Sequence, residues 1–89
     1  MQVTDVSYQL HGSGPSAADY KPSDRDEPAG GPKYYGLVHE SGRFLILKET
    51  ITSDITTTRY YFGNTAYTTS WTARASLDYV YWYAIKDAL

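Results

Sequence analysis

Stretches of alternating apolar and polar positions mark this chain as a strand former. Over residues 34–40, Tyr35, Leu37 and His39 face one way and Tyr34, Gly36 and Val38 the other, the period of a β-strand. Ser41-Gly42 then offers a two-residue connection of the kind that turns a hairpin when glycine supplies a positive φ. Residues 43–50 predict a second strand. Its centre, Phe44-Leu45-Ile46-Leu47, is apolar on both faces and so belongs inside a sheet. After a polar turn at Thr52-Ser53-Asp54, residues 55–63 predict a third strand. Residues 77–85 predict a fourth, with Leu77, Tyr79, Tyr81, Tyr83 and Ile85 opposite Asp78, Val80, Trp82 and Ala84.

Between the third and fourth strands, Tyr67, Trp71 and Arg74 recur at helical spacing, with Asn64 or Thr65 available as a cap. Thr65, Thr68, Thr69 and Thr72 are poor helix formers, so a short helical turn or an ordered loop is expected there. Near the start, Val6, Tyr8 and Leu10 alternate and predict one short strand over 4–10. The fold class is therefore all-β and mainly antiparallel. It is a four- to five-stranded sheet or meander with a short helical turn or loop before the last strand.

Composition divides the chain near Lys33. Residues 1–33 hold every proline (Pro15, Pro22, Pro28, Pro32). Between His11 and Lys33 they carry no Val, Ile, Leu, Phe, Trp or Met. Such a segment buries too little apolar area to offset a backbone ordering cost of about 1–2 kcal/mol per residue. The expected organisation is an extended Pro/Gly-rich arm over 1–33 and a small aromatic β domain over 34–89. The second part carries both Trp, both Phe and most of the ten Tyr.

Charge and chemistry remove several function classes from the expectation. The formal net charge is −2, without the basic surplus of a counterion-releasing nucleic-acid binder. Without cysteine there is neither a disulfide framework nor a thiolate metal site. No apolar run approaches the roughly 18 residues of a membrane span, and residues 1–10 lack the pattern of a secretory signal. His11 and His39 have no metal-ligand spacing. Glu40 and Glu49 flank the first hairpin as a potential carboxylate pair, but no sugar cleft accompanies them. The expectation is no catalytic residue, no metal, no cofactor and no enzyme activity.

A sheet of this size with apolar side chains on both faces needs two covers. The Trp71 segment supplies one. The other is the chain's own arm or, as favoured here, a second copy of the protein. The expected core or interface anchors are Tyr35, Leu37, Phe44, Ile46, Trp71, Leu77, Tyr79 and Trp82. Arg74 is expected to pair with Asp78 or Glu49, or to stack on a tyrosine. Tyr60, Tyr61, Tyr67 and Trp82 would be the platform if the sheet bound sugar rings.

Several segments together carry a resemblance: Tyr34-Tyr35-Gly36-Leu37-Val38, Ser41-Gly42, Ile46-Leu47-Lys48-Glu49, Arg59-Tyr60-Tyr61, and Trp71-Thr72-Ala73-Arg74-Ala75-Ser76-Leu77-Asp78-Tyr79. Over residues 34–83 the chain resembles a group of small bacteriophage virion structural proteins. Arg43-Phe44 stands where that group places Tyr or Trp. The resemblance implies a structural subunit located in the virion: a tail, fibre, neck or capsid-decorating component. Its implied partners are copies of itself and neighbouring virion proteins; hydropathy and charge, read separately, exclude a membrane span and disfavour nucleic acid. The alternative from another class is a small carbohydrate-binding module that contacts host glycans through Tyr or Trp.

Overall fold

The structure, a computed structural model, describes residues 19–89. Strands β1 (Lys21–Asp26), β2 (Lys33–Val38), β3 (Phe44–Thr52) and β4 (Ile55–Gly63) form one antiparallel meander in the order β1-β2-β3-β4. Helix α1 (Tyr67–Thr72) follows, then 3-10 turns at Arg74–Ser76 and Trp82–Ala84. The all-β antiparallel class is as expected, and β2, β3 and β4 lie close to their expected positions. The strand expected over 4–10 lies outside the described residues.

Register explains why β3 is apolar on both faces. Its central position pairs Gly36 with Ile46 and Ile46 with Tyr61 on one face. On the other face Leu37 pairs with Leu45 and Leu45 with Phe62. The first face, here face A, holds a cluster of Tyr34, Phe44 and Ile46 beneath Tyr67, Trp71, Leu77 and Tyr79. Face B holds Leu37, Leu45 and Leu47 beneath Tyr20, Trp82, Ile85 and Leu89. Both sides of the sheet are thus covered by the chain itself, with the C-terminal segment supplying the second cover.

That wrapping corrects the expectation of a fourth strand over 77–85. Only Val80 pairs, through an isolated antiparallel bridge to Tyr60 with two 2.8 Å backbone bonds. Leu77 and Tyr79 pack on face A before the bridge. After it, the chain turns through Trp82–Ala84 and places Trp82 and Ile85 on face B. The i, i+3 spacing of those two puts them on one side of a helical turn. The alternation that predicts a strand here is the signature of a crossover around the β4 edge.

The sheet's fourth strand comes instead from inside the expected arm. β1 reads Lys-Pro-Ser-Asp-Arg-Asp and is almost wholly exposed. A bulge at Ser23 separates the pairs Pro22–Leu37 and Asp24–Gly36. Charged side chains, a proline and a bulge are the devices that keep an edge strand from recruiting another chain. Immediately before β1, Tyr20 is buried on face B, and its hydroxyl approaches the Leu89 carbonyl oxygen at 3.4 Å. The compositional boundary at Lys33 is therefore not a structural one, because Tyr20 and β1 belong to the sheet.

The first hairpin also differs from its expected two-residue turn. Val38 pairs with Phe44, and the His39 N–H donates to the Arg43 carbonyl at 2.8 Å, leaving Glu40, Ser41 and Gly42 as a three-residue loop. The Gly42 N–H donates to the His39 carbonyl, and Gly42 takes φ +102°, as in a turn closed by a glycine bulge.

Truncating Tyr20 to alanine removes a fully buried ring from between Leu37 and Leu89. It should lower unfolding free energy by about 3–4 kcal/mol in denaturant titrations. A loss below about 1 kcal/mol would show that the ring is dispensable to face B.

Candidate interaction surface

Three of the covering contacts depend on β1. Asp24 and Asp26 pair with Gly36 and Tyr34, so their side chains share face A with the helix side of the fold. Tyr67 lies over Gly36 and donates its hydroxyl to Asp24 Oδ2 at 2.7 Å. A Cβ at position 36 would collide with the Tyr67 ring and hydroxyl, so the glycine is what lets the phenol cross β2. Arg74 donates from Nε and Nη2 to Asp26 Oδ2 at 3.0 and 2.8 Å and from Nη1 to the Trp71 carbonyl at 2.8 Å. Its guanidinium also lies 4.6 Å from the Trp71 ring and 5.8 Å from the Tyr34 ring. The sequence predicts stacking on a tyrosine; the nearer ring is that of Trp71, with Tyr34 farther off, and the ionic partner is Asp26 rather than Asp78 or Glu49. Asp26 comes within reach because β1, a strand that carries no apolar pattern in the sequence, pairs it with Tyr34.

Among the expected anchors, Leu37, Phe44 and Ile46 are buried. Trp71, Leu77 and Tyr79 pack half-buried on face A, and Trp82 does so on face B. Tyr35 is half-buried, and its hydroxyl faces Glu27 at 3.1 Å and Glu49 at 3.5 Å. These residues are structural side chains distributed over two faces. Tyr20, Tyr34, Leu45, Leu47 and Leu89 complete the buried hydrophobic set among the described residues. The alternation within β3 points to Leu45 and Leu47, whereas nothing local marks Tyr20 or Leu89.

The potential acidic pair does not form. Glu49 pairs with Lys33 at one end of the β2–β3 hairpin, while Glu40 sits in the loop at the other. His39 is held by that loop: its Nδ1 accepts the Ser41 N–H at 3.0 Å and lies 2.8 Å from the Ser41 hydroxyl. Its ring packs 5.1 Å from that of Tyr20. Among the described residues, no group of three or more His, Cys, Asp or Glu is placed to hold a metal ion. No helix there is long and apolar enough to cross a membrane.

Among the described residues, the large apolar side chains that remain exposed fall in two places. Ile51 and Ile55, at 55% and 67% exposure, flank the β3–β4 turn. Tyr81 and Tyr83, at 56% and 72%, lie near-parallel with ring centroids 6.0 Å apart, and the Arg59 guanidinium sits 4.0 Å over Tyr81. The tyrosines and tryptophan proposed from sequence as a sugar platform (Tyr60, Tyr61, Tyr67 and Trp82) are instead half-buried among the covering contacts. No family model matches the chain, and neither the curated proteins nor the solved structures contain a significant match to it.

Burial disfavours the phenolate and so raises the pKa of several tyrosines. Burial, with the Glu27 hydrogen bond and the Glu49 charge, pushes Tyr35 up to about 12. Burial followed by the Asp24 hydrogen bond raises Tyr67; burial is also the main cause for Tyr79 and Tyr60.

Two outcomes follow from this geometry. Gly36→Ala should cost about 2 kcal/mol in denaturant titration. It should cost less in a Tyr67→Phe background, which lacks the nearest clashing atom. An equal cost in both backgrounds would place the strain elsewhere. The raised phenols also make stability pH-dependent. Their contribution is intact below the ordinary tyrosine value of 10.0 and is lost as pH rises through the native values, near 12 for Tyr35. Denaturation midpoints should therefore fall above about pH 10, with a fraction of the tyrosinate absorbance appearing only on unfolding. Titration of all ten tyrosines near pH 10 with constant stability would contradict this.

Proposed function

We propose that this protein is a structural subunit of a bacteriophage virion and acts through protein–protein contacts. The observation that carries the reading is where apolar surface remains after the chain has covered its own sheet. Ile51 and Ile55 project from the β3–β4 hairpin, and Tyr81 and Tyr83 flank the crossover. These are exposed apolar side chains of the kind that dock against another protein surface. The phage setting rests on the resemblance carried by Tyr34-Tyr35-Gly36 and the Trp71–Tyr79 motif.

A second reading has one observation in its favour. Two exposed, near-parallel tyrosine rings are a platform on which the CH face of a pyranose can lie. Under that reading the protein is a small glycan-binding module, and Tyr81 and Tyr83 carry the contact.

The deciding experiment is fractionation of purified phage particles on a density gradient with a tagged copy of the protein. A virion subunit co-sediments with intact particles and resists a high-salt wash. Recovery only from the soluble lysate would overturn the assignment. Loss of glycan-array binding on Tyr83→Ala would then favour the second reading.

A further inference from the structure

The two edges of the sheet are built on opposite principles. β1 carries Lys21, Pro22, a bulge, Asp24, Arg25 and Asp26. The outer edge of β4 has none of these over Ile55-Thr56-Thr57-Thr58, which is β-branched throughout and uncharged. Because Tyr60 spends both backbone groups on Val80, alternation along the strand turns the N–H and C=O of Thr56 and Thr58 outward as well. The Arg59 Nη1 donates to the Thr58 carbonyl, whereas Thr56 lies beyond the reach of the Val80 bridge. The same strand edge thus already accepts one antiparallel residue and, among the described residues, leaves both outward backbone groups of Thr56 and the Thr58 N–H without a partner.

We infer that the open β4 edge over Ile55–Thr58 is a self-association surface. It pairs antiparallel with the same edge of a second copy and joins two four-stranded sheets into one. The register follows from what is already occupied. The Tyr60–Val80 bridge puts Tyr81 opposite Arg59, so an added strand has room only up to Thr58. An antiparallel two-fold centred on Thr56 fits that limit. Thr56 then exchanges two backbone hydrogen bonds with Thr56 of the second copy, and Ile55 lies opposite Thr57 of that copy on face A. On face B, Ile51 lies beside Thr56, its partner in β3–β4, and so flanks the new seam. The exposed isoleucines gain cover from the second copy's threonines.

A second copy is favoured because the segment is self-complementary. Its edge residues are uncharged, so identical strands meet without like-charge repulsion, and a strongly charged partner would find no counter-charge on them. This inference rests on the reading that the protein works through protein contacts, and it names the surface. The interface is small, so association should be weak and reversible, with a dissociation constant of micromolar order or above.

Sedimentation velocity of the full chain over about a hundredfold concentration range tests it. The expected result is a reversible monomer–dimer equilibrium. Thr56→Pro removes an outward N–H without taking a bond from β3. It should weaken that equilibrium by at least about tenfold while the circular dichroism of the monomer is unchanged. Should the proline variant fail to fold, Ile55→Lys, which places a charge at the seam, is expected to give the same loss. Arg25→Ala, on the guarded edge, should leave association unaltered. A wild-type chain that stays monomeric, or association untouched by both β4 variants, overturns the edge inference. Co-sedimentation with particles alongside either result would leave the virion assignment standing. Failure to co-sediment alongside β4-dependent dimers would remove that assignment and leave the edge in place.

Discussion

A sheet with apolar side chains on both faces must be covered twice, and after β4 this chain has one segment with which to do it. The Tyr60–Val80 bridge is where that constraint is met. Two backbone hydrogen bonds contribute only about 1–3 kcal/mol together, but their position decides the packing on either side. Residues before Val80 arrive on face A, where Leu77 and Tyr79 close over Tyr34 and Ile46. Residues after it arrive on face B, where Trp82 and Ile85 close over Leu45 and Leu47. A longer β-ladder in place of the bridge would have held 77–85 in the plane of the sheet and taken Trp82 and Ile85 off face B. The single bridge is thus a consequence of covering both faces with one strap.

The polar edge strand is tied into the same arrangement. Asp24 and Asp26 do more than guard the β1 edge, because their carboxylates receive Tyr67 and Arg74 from the face A cover. Arg74 in turn fixes the Trp71 carbonyl and stacks on the Trp71 ring, joining the helix to the sheet through a half-buried ion pair. Gly36 makes this geometry available by leaving the Tyr67 phenol a path across β2. An edge with no apolar side chain is held by the groups it satisfies, with hydrophobic burial contributing at Tyr20 just before it.

The parts of this fold legible in sequence are those written in apolar alternation. β2, β3 and β4 have it, and the doubly apolar Phe44–Leu47 run reports an interior strand. β1 was illegible because its side chains face solvent or polar partners, so its pairing leaves no apolar trace. The 77–85 segment shows the opposite failure. Its alternation is real, but a strap that crosses an edge also needs apolar residues on both sides, and period alone does not separate the two cases. At the candidate surface, stacking by Arg74 was legible from residue type, while its pairing with Asp26 required knowledge of β1. Ile51 and Ile55 read as ordinary strand residues, since their exposure is set by a hairpin that extends past its covers.

The abundance of tyrosine follows from the same geometry. Irregular covering segments leave backbone carbonyls and polar side chains without ladder partners, and in so thin a structure few side chains are fully buried. Tyrosine suits this situation because its ring buries area while its hydroxyl reaches a polar group. Tyr79 donates to the Arg74 carbonyl, Tyr67 to Asp24 and Tyr35 to Glu27, while Tyr20 approaches the Leu89 carbonyl. A tyrosine-rich composition that suggests a ligand platform is therefore largely consumed in closing the protein on itself. Outside that internal use, Ile51, Ile55, Tyr81 and Tyr83 stay more than half exposed among the described residues, although the Arg59 guanidinium lies over the Tyr81 ring.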